Sequence, residues 1–175
     1  MAQIGIVLGS DSDLPKIKEC FNILEEFGVE FDLLVSSAHR TPEQTVKWVS
    51  SARDRGLKVI IAGAGGAAHL PGVTAAHTTL PVLGIPIESK IAGGLDSILS
   101  IIQMPAGISV AAMPAGSAGG TNAALFALSI LSVSDSSIAD KLKDYRANMQ
   151  TKIEAKNKEL KALGVKEYIK KLEGK

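Results

Sequence analysis

Residues 3–66 read QIGIVLGSDSDLPKIKECFNILEEFGVEFDLLVSSAHRTPEQTVKWVSSARDRGLKVIIAGAGG, and they alternate two hydrophobic rhythms. Gln3–Leu8 is a short, nearly continuous apolar run that ends at glycine, the pattern of a strand buried on both faces. Leu14–Phe27 carries apolar residues at steps of three and four and stops at Gly28, which predicts a helix. Val29–Val35 predicts a second strand. Pro42–Arg55 predicts a second helix, capped by Thr41, with Pro42 in its first position and Gly56 at its end. Leu57–Ala62 predicts a third strand. A β-α-β-α-β order implies a parallel, doubly wound sheet with right-handed crossovers. In such a sheet ligands bind beyond the carboxyl ends of the strands. The polar and glycine-rich segments GSDSD, SSAHRTP and GAGGAAHLPG all fall there, so they describe one composite site.

Working outward, Pro81–Ile85 predicts a fourth strand, Gly94–Met104 a helix stopped by Pro105, Ile108–Ala112 a fifth strand, and Thr121–Leu131 a buried Ala-rich helix. From Ser134 the composition becomes charged. Ile138, Leu142, Tyr145, Met149 and Ile153 recur at steps of three or four, predicting a long terminal helix with one narrow apolar stripe. That stripe lies outside the alternating unit, and the reading buries it on a neighbouring subunit. Residues 1–133 are expected to form the α/β domain and residues 134–175 a helical tail, joined without a linker.

Composition narrows the class. The chain has 175 residues, 46% hydrophobic and 4% aromatic, with 19 basic and 18 acidic side chains and a formal net charge of +1. A balanced charge gives no reason to propose a nucleic-acid or membrane surface. One cysteine, Cys20, and three histidines cannot build a disulfide framework or a zinc cluster. The chain runs directly into a strand without a leader pattern, and no apolar run is long enough to span a bilayer. The expectation is a soluble, cytoplasmic protein.

Each strand-end segment has a functional and a plain structural reading. Ser10, Ser12 and Asp13 can supply hydroxyl donors and a ribose-binding carboxylate near a helix start that suits phosphate, or they can be cap and turn residues. Ser37 and Arg40 suit phosphate oxygens, the guanidinium by its planar fork. His39 is an imidazole able to give and take protons near neutral pH, or a hydrogen-bonded structural residue. Gly63–Gly72 allows backbone to approach a flat ligand closely. It also fits G-x-G-x-x-A, a dinucleotide fingerprint, with Glu88 ~20 residues on. Pro71 and Gly72 argue against the long helix that fingerprint needs, as does its place after the third strand. His69 can be catalytic or can shape its loop, while His77 reads as structural. Gly93–Ser97 and Ser100–Pro105 read as a capped helix and its stop. Spacing alone stops at a nucleotide-binding α/β domain with an unassigned histidine.

GSDSD, SAHRTP, GAGGAAHLPG and SIIQMP, in this order and spacing, closely resemble the class I PurE family, N5-carboxyaminoimidazole ribonucleotide mutases of bacterial purine biosynthesis. The resemblance covers about residues 3 to 132, with a family-like tail beyond. A second class, which carboxylates aminoimidazole ribonucleotide directly with CO2, usually lacks the AHLPG and QMP wording that is intact here. The resemblance implies His39 as general acid/base and His69 as a second active-site histidine. It implies substrate contacts from Ser10, Ser12 and Asp13, the last on the ribose, and phosphate contacts from Ser37 and Arg40, with Ala38 between His39 and Ser37. Gly63, Ala64, Gly65, Gly66, Ala67 and Leu70 would line the base and the migrating CO2. It implies no metal and no cofactor, and a homo-octamer in which the tail packs on a neighbour. Met113–Gly120 departs from the family wording, which leaves its backbone shape open. The overall expectation is a single-domain, flavodoxin-like three-layer α/β/α fold with a long C-terminal helix. Direct carboxylation, a nicotinamide-dependent enzyme and a non-enzymatic nucleotide-binding oligomer stand as alternatives.

Overall fold

The computed structural model describes residues 1–174. Five parallel strands form one sheet in the order β2-β1-β3-β4-β5. They are β1 Ile4–Leu8, β2 Phe31–Val35, β3 Val59–Gly65, β4 Val82–Ile87 and the two-residue edge β5 Ala111–Ala112. The helices are α1 Lys18–Phe27, α2 Pro42–Ser50, α3 Leu70–Ala76, α4 Leu95–Ile102, α5 Ser117–Ser132 and α6 Ser136–Glu173. Strand residues alternate between two cores. Ile4, Ile6, Leu8, Val59, Ile61, Leu83 and Ile85 pack against α1 and α5. Val7, Ile60, Ala62 and Val82 pack on the other face with Val49 of α2, Leu70 of α3 and Ile101 of α4. This is the expected three-layer α/β/α sandwich. Because β1 and β3 are neighbours and the chain winds away on either side, the order reverses between them, and their carboxyl ends diverge into a crevice.

The differences from the predicted elements have local causes. Helix α1 starts at Lys18, behind two 3-10 turns at Asp11–Asp13 and Pro15–Ile17, where the Leu14 and Ile17 amides bond three residues back, to the Asp11 and Leu14 carbonyls. Helix α2 ends at Ser50, before Arg55. The Ser51 hydroxyl donates to the Lys47 and Trp48 carbonyls and Arg55 Nη1 to the Trp48 carbonyl, while the backbone continues to Gly56 as irregular turns. Thr41 precedes α2 but its side chain does not cap it. Strand β3 runs on to Gly65 and β4 to Ile87, through glycines and Pro86 that read as breakers. A Cβ on Gly63 would lie 2.8 Å from Leu8 Cδ2, so this glycine makes room within the sheet. The supposed loop after β3 contains α3, with Pro71 tolerated in its first turn. Strand β5 is short because Pro105–Ile108 forms a turn, Ile108 N–H donating to the Pro105 carbonyl.

Helix α5 begins at Ser117, earlier than Thr121, and settles the shape of Met113–Gly120. Gly119 and Gly120 lie inside the helix. A Cβ on Gly120 would approach the Ile17 carbonyl and the Cys20 amide at 3.1 and 3.2 Å. Cys20 is fully buried in this contact, and burial pushes its thiol up to about 12.

The tail corrects one expectation. Ile138 is buried in the core of its own chain, and Leu142 and Tyr145 pack beside it. Lys141 Nζ donates to the Phe27 carbonyl at 2.7 Å, and the Phe27 and Tyr145 rings lie 5.9 Å apart. The stripe is therefore anchored at its start, whereas Met149 and Ile153 are 54% and 56% exposed. Asp135 caps α6, its carboxylate accepting the Ser137 and Ile138 amides and the Ser137 hydroxyl, which holds it below the usual carboxylate range. Gly164, at φ 72°, interrupts the helix, and Lys171 pairs with Glu159 across the break. No helix among the described residues is long and apolar enough to cross a membrane.

The contact at Gly120 makes a direct prediction. Gly120→Ala forces the backbones of α1 and α5 apart, and overpacking of this kind lowers stability by about 1–3 kcal/mol. Urea unfolding monitored at the single tryptophan, Trp48, measures it; a midpoint equal to wild type contradicts the close-approach account.

Candidate active site

The segment after β1 is held by its own polar groups. Ser10 Oγ accepts the Ser12 amide at 3.3 Å and shares a bond with Ser12 Oγ at 2.9 Å. Ser12 is thereby spent inside the turn. Asp13 is buried, and its carboxylate lies 3.5 Å from Lys16 Nζ. Burial raises the Asp13 carboxyl above its ordinary range, and the Lys16 charge opposes that shift without cancelling it.

The segment after β2 is locked by a hydroxyl cluster. Ser36 Oγ bonds both Thr41 Oγ1 and Thr45 Oγ1 at 2.9 Å, and Thr41 Oγ1 accepts the Ser37 amide at 2.9 Å. Ser37 Oγ in turn accepts the amides of His39 and Arg40 at 3.4 and 3.3 Å. These bonds turn the chain so that Arg40 Nη2 reaches across to donate to the Gly9 carbonyl at 3.0 Å. One of the five guanidinium hydrogens is used, leaving the others for an anion.

The segment after β3 brings the second histidine. His39 Nε2 and His69 Nδ1 are 2.8 Å apart, with the rings edge to face at 84°. One of these nitrogens must carry a hydrogen and the other must not. The two side chains, thirty residues apart in sequence, thus hold one proton between them.

Together the three segments enclose a cavity of about 420 Å³. Its wall contains Ser10, Asp13, Ser37, Ala38, His39, Arg40, Ala64, Gly65, Gly66, Ala67, His69 and Leu70. Two expected residues lie outside it. Ser12 is turned into its own loop, and Gly63 sits within the sheet, its carbonyl accepting the Gly9 amide at 3.1 Å. Lys16, Ile87, Glu88 and Ser89 also line the cavity. Lys16 could have been found from its i,i+3 spacing to Asp13. Glu88 and Ser89 follow the carboxyl end of β4 at the same sheet edge, where the strand-end rule applies equally. The dinucleotide reading of Gly63–Ala68 is not supported: the motif begins inside β3, the helix after it has only seven residues, and the Gly66 amide donates to Ser97 Oγ. Among the described residues no group of three or more His, Cys, Asp or Glu side chains could hold a metal ion.

These features define an α/β protein with a strand-end site at the topological switch point, furnished with an imidazole pair and an arginine. Residues 3–152 match the family model described as AIR carboxylase. The chain is 52% identical over 166 residues to an N5-carboxyaminoimidazole ribonucleotide mutase of Pyrococcus horikoshii, covering 95% of this chain and 93% of that one. It is 46% identical over 173 residues to the mutase of the same name from Thermotoga maritima, covering 99% and 100%. The crystal structure of Treponema denticola PurE superposes with a TM-score of 0.81 at 32% identity, over 90% of this chain and 98% of that one. The chain belongs to the AIR carboxylase family.

The state of Asp13 makes the second prediction. A carboxyl raised in the folded state binds its proton more tightly there than in the unfolded chain. Stability is then fully favoured at pH below the unfolded value, and falls as pH rises from that value through the raised one. Asp13→Asn removes this penalty, so its melting temperature at pH 7 equals or exceeds that of wild type, while its affinity for a ribonucleotide falls. Calorimetry with and without ligand checks both; a clear loss of stability at pH 7 contradicts the burial argument.

Proposed function

We propose that this chain is a cytoplasmic enzyme of de novo purine biosynthesis. It converts N5-carboxyaminoimidazole ribonucleotide to 4-carboxy-5-aminoimidazole ribonucleotide, with His39 as the general acid/base. The observation that carries the reading is the His39–His69 pair in the wall of a cavity that also presents Arg40 and a glycine-alanine lining. The mutase names of relatives matched over nearly the whole chain support it.

The substrate is a carbamate, and the reaction balances within it. Protonated His39 gives its proton to N5 as the N5–carboxylate bond breaks, leaving aminoimidazole ribonucleotide and CO2. Carbon C4, an enamine-like nucleophile, attacks the CO2 carbon. Neutral His39 then takes the C4 proton, which restores both the aromatic ring and the starting enzyme. His69, bonded to His39 through a ring nitrogen, orients it. Ser37 and Arg40 hold the phosphate and Asp13 the ribose. Ala64–Ala67 and Leu70 exclude water and keep CO2 beside C4, so proximity supplies much of the rate. The carboxylate is already activated, so this route uses no metal, ATP or nicotinamide.

The test supplies purified protein with synthetic N5-carboxyaminoimidazole ribonucleotide and no bicarbonate, and looks for the C4-carboxylated product. Product formed only from aminoimidazole ribonucleotide and high bicarbonate assigns the direct carboxylase instead. Two variants divide the roles. His39→Asn keeps ligand binding and loses on the order of 10²–10⁴-fold in kcat. Arg40→Ala chiefly raises KM, by about one to two decades for a charge-assisted bond. Near-wild-type kcat in His39→Asn moves the proton chemistry to another group.

We also propose that the protein is a homo-octamer, with the exposed part of the α6 stripe against a neighbouring copy. A second cavity of about 510 Å³ between α5 and α6 supports this reading, lined by Phe126, Leu125, Tyr145 and Met149 among others. The double variant Met149→Glu/Ile153→Glu leaves the chain's own core intact and lowers the mass seen in sedimentation. An unchanged mass contradicts the assembly.

A further inference from the structure

Ser97 is fully buried and does not line the cavity, yet it bonds to two segments that do. It stands in the first turn of α4. Its hydroxyl donates to the Ile87 carbonyl at 2.8 Å and accepts the Gly66 amide at 2.9 Å. The ladder between β3 and β4 ends at Gly65 opposite Ile87. Ser97 therefore continues that pairing by one step, through a side chain, after the backbone has stopped.

The step matters because of what surrounds Gly66. Gly65 is wedged in place: a Cβ there would meet the Ile87 carbonyl oxygen at 3.2 Å. Gly66 has φ +68° and nothing within 4 Å of its Cβ position. No side-chain packing selects its conformation, and glycine has many available. The hydrogen bond to Ser97 is what fixes the direction of this peptide. The preceding residue acts on the neighbouring segment after β4: Asp96 accepts the Ser89 hydroxyl at 2.5 Å, and Ser89 Oγ accepts the Ile91 amide at 3.2 Å. Consecutive residues of α4 thus hold the Gly65–Ala67 and Glu88–Ser89 portions of the cavity.

We propose that Ser97 is a positioning residue for carboxylate transfer, holding the Gly65–Ala67 wall in place while CO2 passes from N5 to C4. The proposal rests on the mutase reading. Without the hydroxyl, the Gly66 amide and one acceptor position on the Ile87 carbonyl lose their partner, and the Gly66 peptide turns to find another. The segments that carry Arg40 and Asp13 are untouched, so binding of the ribonucleotide persists. What fails is retention: CO2 leaves before C4 captures it.

The experiment compares wild type, Ser97→Ala and Ser97→Cys, the last with a side chain of similar size and weak hydrogen bonding. Three quantities are read: kcat and KM on the carbamate, the ratio of released aminoimidazole ribonucleotide to C4-carboxylated product after correction for spontaneous decarboxylation, and hydrogen exchange at the Gly66 amide by NMR. For Ser97→Ala we expect kcat lower by about tenfold, KM within about threefold, and a severalfold rise in the release ratio. Exchange at Gly66 should be much faster than in wild type, with Ser97→Cys intermediate. A lower kcat with an unchanged release ratio reduces Ser97 to a structural residue and overturns the proposal, as does wild-type protection of the Gly66 amide in Ser97→Ala. If Ser97→Ala does not fold, Ser97→Cys decides by the same readings. Wild-type protein inert toward the carbamate overturns the mutase reading and with it the catalytic role. Gly66 exchange in the variants then shows separately whether the clamp itself exists.

Discussion

The ladder between β1 and β3 ends with Leu8 opposite Gly63, and one further bond follows it, from the Gly9 amide to the Gly63 carbonyl. Beyond that bond the two chains must part, one toward α1 and the other toward α3, because the sheet is wound in opposite senses on its two sides. Every functional placement in the structure depends on that parting. Arg40 bonds the Gly9 carbonyl at its brink, so the segment after β2 is referenced to the end of β1. The imidazole pair reaches past the end of β1 and joins the segment after β2 to the one after β3. The ligand cavity is the space that these two bridges cross.

Rigidity at this edge comes from different devices in different segments. After β2 it is a cluster of hydroxyls, in which the buried Ser36 and Thr45 and the exposed Thr41 fasten the turn that carries His39 and Arg40. After β3 it is close packing of small residues, with Gly63 and Gly65 pressed on Leu8 and Ile87, and a single hydroxyl beyond them. Packing holds a shape without offering polar groups to compete for a ligand. A hydroxyl cluster can hold a polar turn only by satisfying the donors and acceptors that the turn exposes. The division follows the chemistry each segment presents: charged and proton-carrying side chains on one, a small apolar wall on the other.

Most of the fold was legible because it is written in hydrophobic period. The run Gln3–Leu8 and the three- and four-residue steps of Leu14–Phe27 each admit one element type, and their order admits one sheet. What escaped was written in glycine and proline. Gly63 and Gly65 stand in β3, Pro86 in β4 and Pro71 in α3, each read locally as punctuation. Their presence is decided by neighbours distant in sequence, such as Leu8 for Gly63 and Met104 for Gly72, which no local window contains. The site shows the same division. His39, Arg40 and Ser37 were legible because they cluster at one junction, and the wording SAHRTP with GAGGAAHLPG sharpened the reading to a family. The bond between His39 and His69 and the burial of Asp13 are products of three-dimensional placement, and the exposed Ser12 hydroxyl, bonded to Ser10, stays out of the cavity wall. The tail misled because a narrow stripe looks the same whether its first turns meet α1 of the same chain or another molecule.

The crossing of α1 and α5 has a chemical consequence for the whole molecule. Cys20, the chain's one thiol, lies in that crossing with its ionised form strongly disfavoured, and the thiolate is the species that reacts. A folded molecule is therefore silent toward alkylating reagents and mild oxidants. A reagent can meet sulfur only when the two helices separate, so its rate of reaction counts those separations. The protein carries its own clock for opening of the core, placed on the face of the sheet opposite α2, α3 and α4.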